Sequence, residues 1–210
     1  MSSAHTESAP VLPTTARGRR TRGAIVDAAA DLMFQNGICQ TGLDQVLEHS
    51  GAGKSQLYHY FGGKQDLVAA VIKTQLERVL STEPSLDSIH RWSDLQAWHA
   101  AFVERHGTDA GPIACRLGKF AGELDHDDVL RAALADAFEQ WRGQFAAVMV
   151  RLRESGDLRV DADPDDLASA LLSAIQGGLL LGRLHRDAHF VRISMDIGLA
   201  YVRSHLAVRV

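Results

Sequence analysis

A group of polar and aromatic side chains is concentrated between positions 54 and 64 of this 210-residue chain. Glutamine can bond an adenine edge through both ends of its amide, lysine can reach guanine, and tyrosine can contact a thymine methyl group or a phosphate. The group consists of Lys54, Ser55, Gln56, Tyr58, His59, Tyr60 and Lys64. So many hydrogen-bonding groups on one short segment indicate a binding surface, and their chemistry favours a nucleic acid.

The elements that would carry this group are two short helices joined by a turn that contains glycine. Residues 43–50 are predicted to form the first helix and residues 54–61 the second, each followed by glycines that end it. Val46 would face the core from the first helix, and Leu57 and Phe61, four positions apart, from the second. This is the pattern of a helix-turn-helix that reads DNA.

Apolar residues at helical spacing predict one further helix on each side of this pair. The earlier helix includes Ile25 and is ended by Gly37, and the later one covers residues 64–81. Residues 1–16 contain prolines and show no periodicity, so they are predicted to be a disordered tail. The basic arm at residues 17–22 comes between tail and helix, and it is either a solvated run or a phosphate contact.

The chain from Thr21 to about Val71 resembles the N-terminal domain of TetR-family regulators. The resemblance is carried by Phe34-Gln35-Asn36-Gly37, Thr41, Val46, Gly51, Leu57-Tyr58-His59-Tyr60-Phe61, Lys64 and Asp66-Leu67. It implies a DNA-binding headpiece followed by a helical domain that binds an effector and dimerises. The residues that it implies as phosphate contacts are Thr41, Tyr58, Tyr60 and Lys64. Those that it places to reach bases are Lys54, Ser55, Gln56 and His59, and Arg22 of the basic arm is a further candidate DNA contact.

Two glycines depart from the pattern of the family. Gly42 stands where Ser or Thr commonly follows Thr41, and Ala52-Gly53 stands where Val-Ser commonly precedes the second helix. Glycine can cap a helix, but without a side-chain hydroxyl. We therefore expect the second helix to start less stably, by about a few tenths of a kcal/mol.

The stretch Gly51-Ala52-Gly53-Lys54-Ser55 is also similar to the end of a phosphate-binding loop. That loop requires a glycine where this chain has Glu48, and a strand before it. A nucleotide-dependent enzyme is therefore the more distant alternative. No catalytic residues can be picked out elsewhere, and no cofactor is expected.

The rest of the chain is predicted to be helical after a linker at residues 82–91. Helical patterns cover residues 92–106, 113–124, 127–155, 164–185 and 189–207. No segment shows the sustained alternation of a strand, so the predicted fold class is all-α. An N-terminal three-helix DNA-binding domain spans residues 17–66, with a connecting helix to about residue 81. A C-terminal helical bundle for ligand binding and dimerisation spans residues 82–210.

The last two predicted helices, residues 164–185 and 189–207, are unusually apolar. The first carries Leu167, Leu171, Ile175 and Leu179 on one face beside Ala168, Leu172 and Gly182, and the second carries Ile193, Ile197, Ala200 and Tyr201. Gly177, Gly178 and Gly182 lower helix propensity by roughly 1 kcal/mol each relative to alanine, which makes sense if another backbone approaches closely. The pattern predicts a symmetric four-helix interface between two subunits, and the alternative is a core within one chain.

Large aromatic residues are concentrated in the middle helices, where they form either plain core or the lining of a ligand pocket. The candidate ligand-binding residues are Trp98, Phe102, Phe120, Trp141 and Phe145, with Cys115 and Gln176 as the nearest polar groups. Such a lining favours a small hydrophobic or aromatic effector. A second set of motifs consists of Cys115-Arg116-Leu117-Gly118, Ala121-Gly122-Glu123-Leu124, Leu130-Arg131-Ala132-Ala133-Leu134, Phe138-x-x-Trp141 and Gln176-Gly177-Gly178-Leu179-Leu180-Leu181. Through these motifs this half of the chain resembles the LmrA/YxaF-like branch of the family. That branch usually has proline after the cysteine, where this chain has Arg116, so the resemblance does not identify the effector.

Charge and cysteine content limit the remaining classes of protein. The net charge is −4, but residues 1–64 carry six Lys/Arg against five Asp/Glu, and the remainder carries 16 against 21. A small DNA-facing part and a larger acidic part are indicated. Cys39 and Cys115 are far apart, which disfavours a disulfide framework and fits a reducing compartment. With no signal peptide and no charge-free apolar run of roughly 18 residues, we expect a cytoplasmic protein without a membrane partner.

Histidine spacing gives the best hint of a metal, because His185 and His189 lie four positions apart. A predicted turn separates them and no third ligand follows, so no metal site is expected. The sequence therefore predicts a ligand-responsive homodimer, not an enzyme, that binds a pseudo-palindromic double-stranded DNA operator. Repression released by an effector is the expected mode. The alternative is a helical small-molecule-binding protein whose headpiece no longer reads DNA.

Overall fold

The computed structural model describes residues 12–81, 85–108 and 113–208. Eight α-helices lie in these ranges: α1 Ala16–Asn36, α2 Leu43–Ser50, α3 Lys54–Tyr60, α4 Lys64–Leu80, α5 Trp92–His106, α6 Asp128–Glu154, α7 Pro164–His185 and α8 His189–Arg203. Two short 3-10 helices are formed by Leu86–Ser88 and Gly118–Glu123. The described residues contain no strand, only one isolated bridge between Leu158 and Leu206. The predicted all-α fold is confirmed.

The chain forms two compact units. The first comprises the residues up to Glu77 together with Lys119–Ala137, and the second comprises Arg78–Gly118 and the residues from Phe138 onward. The division therefore falls inside α4, inside the 3-10 helix Gly118–Glu123 and inside α6.

The domain limits predicted from the sequence, residues 17–66 and 82–210, remain a prediction. Residues 1–11 of the predicted tail and residues 82–84 of the predicted linker lie outside the described residues.

Helix α1 begins at Ala16, so the predicted basic arm at residues 17–22 is not separate from the helix but forms its first turns. The prediction that the helix starts only after the arm was wrong. Thr15, a favoured residue type for the cap, accepts a hydrogen bond from the Gly18 N–H at 3.1 Å. Gly18 is a poor helix former, which conceals the helix in the sequence.

The core of the first unit fixes the orientation of the helix-turn-helix. Its fully or nearly fully buried apolar residues include Ile25, Ala29, Met33, Val46, Leu57, Phe61, Leu67 and Val71. Gln75 of α4 is a buried polar exception that the sequence did not reveal, and its Nε2 donates to the Ala30 carbonyl at 3.0 Å. Leu57 anchors α3 in this core and Phe61 does so directly after its last residue, so the opposite face of α3 is turned outward.

The α-helix predicted at residues 113–124 is not present. Residues 113–115 have no regular structure, and only Gly118–Glu123 forms a 3-10 helix. Glycine destabilises an α-helix, and the Gly118 N–H donates to the Cys115 Sγ at 3.2 Å instead of entering a helical ladder. This prediction was wrong for those two reasons.

Helix α7 starts as its sequence predicts. The Asp163 carboxylate accepts hydrogen bonds from the N–H groups of Asp165 at 2.8 Å and Asp166 at 3.4 Å, and Pro164 occupies the first turn. The face predicted to be apolar is buried, with Leu167, Leu171, Ile175 and Leu179 each at most 4% exposed.

Glycine brings α8 of the same chain against α7. A Cβ added to Gly178 would lie 3.0 Å from the Ser194 Cβ and 3.2 Å from the Val191 Cα, whereas one added to Gly177 would meet nothing within 4 Å. The close approach predicted from the glycines is therefore partly an intrachain contact. Helix α8 ends at Arg203 and not at residue 207, because Leu206 leaves the helix to bridge Leu158.

One helix of the described chain, α7, is long and apolar enough to cross a membrane by length and composition alone. In its most apolar stretch 44% of the residues are buried within the protein. A buried core helix passes the same test, so this is weak support for a membrane span.

Candidate nucleic-acid interface

Helix α3 presents a polar face to its surroundings. The exposed residues of this helix are Lys54, Ser55, Tyr58 and His59. Tyr58 is 49% exposed although it is a large aromatic residue, and the His59 ring lies edge-on to Tyr60 with 5.0 Å between the ring centroids. Four of the predicted DNA contacts therefore share one accessible surface on a helix of 7 residues.

Two glutamines compensate for the glycine caps of the helix-turn-helix. The Gly53 N–H donates to the Gln56 Oε1 at 2.8 Å, and the Gly42 N–H donates to the Gln45 Oε1, also at 2.8 Å. Each glutamine stands at the third position of its helix and supplies the reciprocal half of a capping box. The weakness predicted for the start of α3 is thereby offset in part, by a signal that the sequence carried at Gln56.

The cap also restricts what Gln56 can do at a base. Its predicted contact with DNA remains a prediction, and a contact through the amide nitrogen would leave the cap unchanged. Bidentate recognition of adenine uses both ends of the amide, so the Oε1 would have to accept from the base through its second lone pair while it keeps the Gly53 bond.

Two predicted phosphate contacts lie further inside. Thr41 is 1% exposed, and its hydroxyl donates to the Gly37 carbonyl at 2.7 Å. Tyr60 is 8% exposed, and a Cβ added to Gly18 would lie 3.1 Å from its hydroxyl. The phosphate contacts of both residues remain predictions, and for Thr41 a contact through the hydroxyl would replace the bond to Gly37.

The two remaining predicted contacts are held by their surroundings. The Lys64 Nζ donates to the Cys39 carbonyl at 3.5 Å. The Arg22 guanidinium carbon lies 4.9 Å from the centroid of the Phe61 ring, so its charge is held over an aromatic face at the end of α3. Both cations belong to the same unit as the exposed face of α3.

Four of the residues predicted to bind an effector come together in the second unit. The ring centroids are separated by 5.4 Å between Trp98 and Phe145, by 5.5 Å between Trp98 and Phe102, and by 6.3 Å between Trp141 and Phe145. Each of these rings is at most 9% exposed. Phe120, the fifth predicted aromatic, belongs to the first unit.

The two predicted polar groups also meet. The Gln176 Nε2 donates to the Cys115 Sγ at 3.6 Å. Burial raises the pKa of the Cys115 thiol, so the protonated and weakly nucleophilic form is favoured. This pair can orient a ligand through hydrogen bonds, but it is not set up for covalent chemistry.

Comparison with known sequence families decides the class of protein. The profile of bacterial regulatory proteins of the tetR family matches residues 25–71, and that of the tetracyclin repressor-like C-terminal domain matches residues 92–196. The second match alone covers half of the chain. The chain belongs to the TetR family. It is a DNA-binding transcriptional regulator, as the resemblance implied.

Individual relatives agree with the family. The transcriptional regulator AcuR of Cereibacter sphaeroides is 29% identical over 194 residues, which cover 85% of this chain and 88% of the relative. The HTH-type transcriptional repressor DhaR of a Mycobacterium species is 26% identical over 170 residues, which cover 79% of this chain and 84% of the relative. The regulators YxaF and LmrA of Bacillus subtilis, each 28% identical, are also similar to it.

Solved structures show the same fold. A TetR-family regulator from Cytophaga hutchinsonii superposes with a TM-score of 0.79 at 16% identity, covering 94% of this chain and 100% of that one. The regulatory protein TetR from Rhodobacter sphaeroides superposes with a TM-score of 0.69 at 23% identity, covering 89% and 99%.

Other candidate sites of this TetR-family regulator receive little support. Gly51, in the stretch similar to a phosphate-binding loop, ends helix α2 in the left-handed conformation at φ +68°, so a helix and not a strand precedes the turn. His185 ends α7 and His189 begins α8, with the predicted turn between them. No group of three metal-ligating side chains occurs among the residues that the structure describes.

A cavity of about 570 Å³ lies elsewhere in the second unit. Its lining consists of Arg91, Trp92, Ser93, Asp157, Leu206 and Ala207, none of which was predicted to bind an effector. Asp157 is buried there and accepts hydrogen bonds from the Trp92 N–H at 2.8 Å and the Arg91 guanidinium at 3.2 Å. These bonds satisfy the carboxylate. Asp157 therefore has a structural role, because it links the loop after α6 to the start of α5.

Proposed function

We propose that this regulator is a homodimeric repressor that a small hydrophobic or aromatic effector releases from DNA. Its two α3 helices would enter successive major grooves of a pseudo-palindromic operator, roughly 34–36 Å apart. The exposed polar face of α3 is the observation that carries this proposal. We assign DNA binding to residues 17–66 and effector binding with dimerisation to residues 82–210. The protein would act in the cytoplasm and perform no catalysis.

The DNA-binding part is tested by measuring duplex affinity against salt concentration. Selection from a random pool gives the preferred duplex, and each phosphate neutralised by the protein adds about −0.9 to the slope of log K against log salt. A slope near zero for the unmodified protein would contradict operator binding. The protein would then be the helical small-molecule-binding alternative.

The role of Lys64 is tested by a charge-matched pair of variants on α4. Lys64→Ala is expected to weaken all duplexes by a similar factor and to reduce the salt slope by about 1, because one phosphate contact is lost. Lys73→Ala removes the same charge from an exposed position of the same helix and should leave the slope unchanged. Equal effects of the two substitutions would show that only the net charge matters.

Dimerisation is supported by the apolar residues that one chain leaves exposed on α7 and α8. These residues are Leu180, Leu181, Leu184, Ile193, Ile197 and Tyr201, each 39% exposed or more. Leu180 and Leu184 lie one turn apart on α7, as Ile193 and Ile197 do on α8, so each helix presents a stripe. A two-fold axis would place the two stripes of one chain against those of its partner and form a four-helix interface.

Effector binding is supported by the aromatic cluster of Trp98, Phe102, Trp141 and Phe145 and by the adjacent pair of Cys115 and Gln176. An apolar lining with few polar groups is typical of small-molecule sites. Repression is supported by the relative named as a repressor. An effector can weaken operator binding only by its differential affinity for the two states, typically about 5–150-fold.

The test of effector binding uses the fluorescence of Trp98 and Trp141, two of the three tryptophans in the chain. A small aromatic compound that quenches this emission should also release the operator duplex, and Gln176→Leu should weaken both effects together. A compound that releases the duplex equally well from the Gln176→Leu protein would place the effector elsewhere.

A further inference from the structure

The segment Lys119–Asp127 belongs to the same compact unit as the helix-turn-helix although it is more than forty positions away in the chain. The sequence assigns this segment to the effector domain. In the structure, three of its side chains, each four positions from the next, contact the N-terminal part of the same unit, at the end of α1, the turn after it and the start of α4. We call these three residues, Lys119, Glu123 and Asp127, the clamp.

Lys119 contacts the end of α1. Its ammonium group donates hydrogen bonds to the Phe34 carbonyl and, at 3.0 Å, to the Gln35 carbonyl, and it lies 5.2 Å from the centroid of the Phe34 ring. The last carbonyls of a helix have no partner within the helix, and a cation at that end is stabilising. Lys119 therefore fixes the point at which the chain leaves α1.

Glu123 contacts the turn that follows. Its Oε2 accepts a hydrogen bond from the Cys39 N–H at 3.1 Å. The same oxygen would lie 2.9 Å from a Cβ on Gly37, a residue that adopts φ +94°. Only glycine can take this conformation at low cost and also leave room for the carboxylate. The turn is thus built around Glu123.

The turn leads directly to residues assigned to phosphate binding. The Cys39 carbonyl, on the residue whose N–H Glu123 holds, accepts the bond from the Lys64 Nζ. The Gly37 carbonyl accepts the bond from the Thr41 hydroxyl. Any shift of this turn therefore moves the acceptors that position both Lys64 and Thr41.

Asp127 contacts the start of α4. Each of its two carboxylate oxygens accepts a hydrogen bond from the Gln65 Nε2 at 3.0 Å. Gln65 is the neighbour of Lys64, so the clamp holds the Lys64 region from two sides. Asp127 also caps α6, because its Oδ1 accepts the Leu130 N–H at 3.0 Å.

We propose that Lys119, Glu123 and Asp127 are positioning residues for operator binding, which act through the turn at residues 37–41 and the start of α4. They do so without contacting DNA. The DNA-reading unit of this protein is therefore discontinuous, and it includes residues well outside the 25–71 range of the family profile. This inference rests on the proposed binding of operator DNA.

The decisive comparison is Glu123→Ala against Glu123→Gln in the full chain. Both substitutions remove the same negative charge, so any electrostatic gain in DNA affinity cancels between them. Glutamine keeps an oxygen that can accept the Cys39 N–H, whereas alanine does not. We expect Glu123→Ala to bind the selected operator about 3–10-fold more weakly than Glu123→Gln, the effect of one hydrogen bond. Affinity for a random duplex should fall by a similar factor, because Lys64 and Thr41 are assigned to phosphates, which every duplex offers.

Hydrogen exchange at the Cys39 amide measures the bond between Glu123 and the Cys39 N–H in the absence of DNA. Exchange should be roughly 10-fold faster in Glu123→Ala than in Glu123→Gln, at a temperature where circular dichroism shows both to be fully helical. Equal operator affinities for the two variants would overturn the inference while leaving the proposed function intact. Loss of operator affinity with random-duplex affinity kept would also overturn it, because a turn that positions phosphate contacts acts on every duplex.

A second pair keeps the inference testable if Glu123→Ala does not fold. Asp127→Ser and Asp127→Asn both remove one charge, and both residue types cap helices well, so α6 keeps its start. Only asparagine is long enough to retain the bond from Gln65. We expect Asp127→Ser to bind the operator about 2–5-fold more weakly than Asp127→Asn. Equal operator affinities of the two variants would show that the bond between Asp127 and Gln65 does not contribute to operator binding.

Discussion

Two faces of the protein are left uncovered by a single chain, and they differ in chemistry. The face of α3 exposes lysine, serine, tyrosine and histidine, whereas the stripes on α7 and α8 expose aliphatic residues such as Leu184 at 72% and Ile197 at 62%. Apolar surface gains about 25 cal/mol per Å² when it leaves water, so the second face is stabilised by another apolar surface. The first face gains little from such burial, and its hydrogen-bonding groups fit the edges of bases and phosphates.

The helices that carry these faces are also stabilised differently. Helix α3 has 7 residues, too few for stability from its own backbone bonds, and it depends on Leu57, Tyr60 and the cap from Gln56. Helix α7 has 22 residues and eight buried positions, so packing against α8 dominates. Substitutions should therefore act on α3 through caps and on α7 through packing.

The largest effect is expected for a charge placed in the apolar stripe. Leu184→Asp would lose about 1.5–3 kcal/mol of burial in each subunit, and two-fold symmetry doubles the loss. We expect the dissociation constant of the dimer to rise roughly 10²–10⁴-fold, as measured by analytical ultracentrifugation.

Val160 supplies the matched control for this prediction. It is 90% exposed and belongs to the same unit, but it lies outside the stripes on α7 and α8. Val160→Asp should leave the dimer intact. If Leu184→Asp also leaves the dimer intact, the stripes are not the dimer interface. The exposed apolar face would then have no assigned partner.

Packing is tested by two neighbouring glycines of α7. A Cβ on Gly178 would meet the backbone of α8 at 3.2 Å, so Gly178→Ala should lower the free energy of unfolding by about 1–3 kcal/mol at every protein concentration. A Cβ on Gly177 would meet nothing of its own chain within 4 Å. Gly177→Ala should therefore act through the partner and weaken the dimer.

The readout that separates the two glycines is thermal unfolding at several protein concentrations. The effect of Gly177→Ala should depend on concentration, and that of Gly178→Ala should not. If Gly177→Ala instead stabilises the protein at all concentrations, by up to about 1 kcal/mol from helix propensity, no partner backbone approaches there.

Local signals explain most of what the sequence predicts correctly. Gly37 ends α1, Gly51 ends α2, and the Asp163 carboxylate starts α7, each through atoms within a few residues. The start of α1 was missed because Gly18 obscures a cap made by Thr15. Side-chain spacing also predicted the buried faces of α3 and α7, since helical periodicity is a local property.

The clamp could not be predicted in this way. Glu123 and the Cys39 amide are 84 positions apart, as are Lys119 and the Gln35 carbonyl. No periodicity in the sequence indicates a contact of that range, and the 3-10 helix that presents these residues was predicted to be an α-helix. The grouping of the aromatic candidates is also a long-range property: the ring centroids of Trp98 and Phe145 lie 5.4 Å apart, whereas Phe120 belongs to the other unit.

The smallest predicted effect compares two identical caps on the two helices of the helix-turn-helix. Gln45→Ala and Gln56→Ala each remove one bond of 2.8 Å to a glycine N–H, so each should lower the free energy of unfolding by about 0.5–1 kcal/mol. Only Gln56 lies on α3, so only Gln56→Ala should also relax the preference for one base pair, while random-duplex affinity is kept. Denaturant titration gives the free energy of unfolding, and competition among single-base variants of the selected duplex gives the base preference.

If both substitutions leave the base preference unchanged, Gln56 serves the helix start alone. Base reading by α3 would then rest on Lys54, Ser55 and His59, the residues that its exposed face offers.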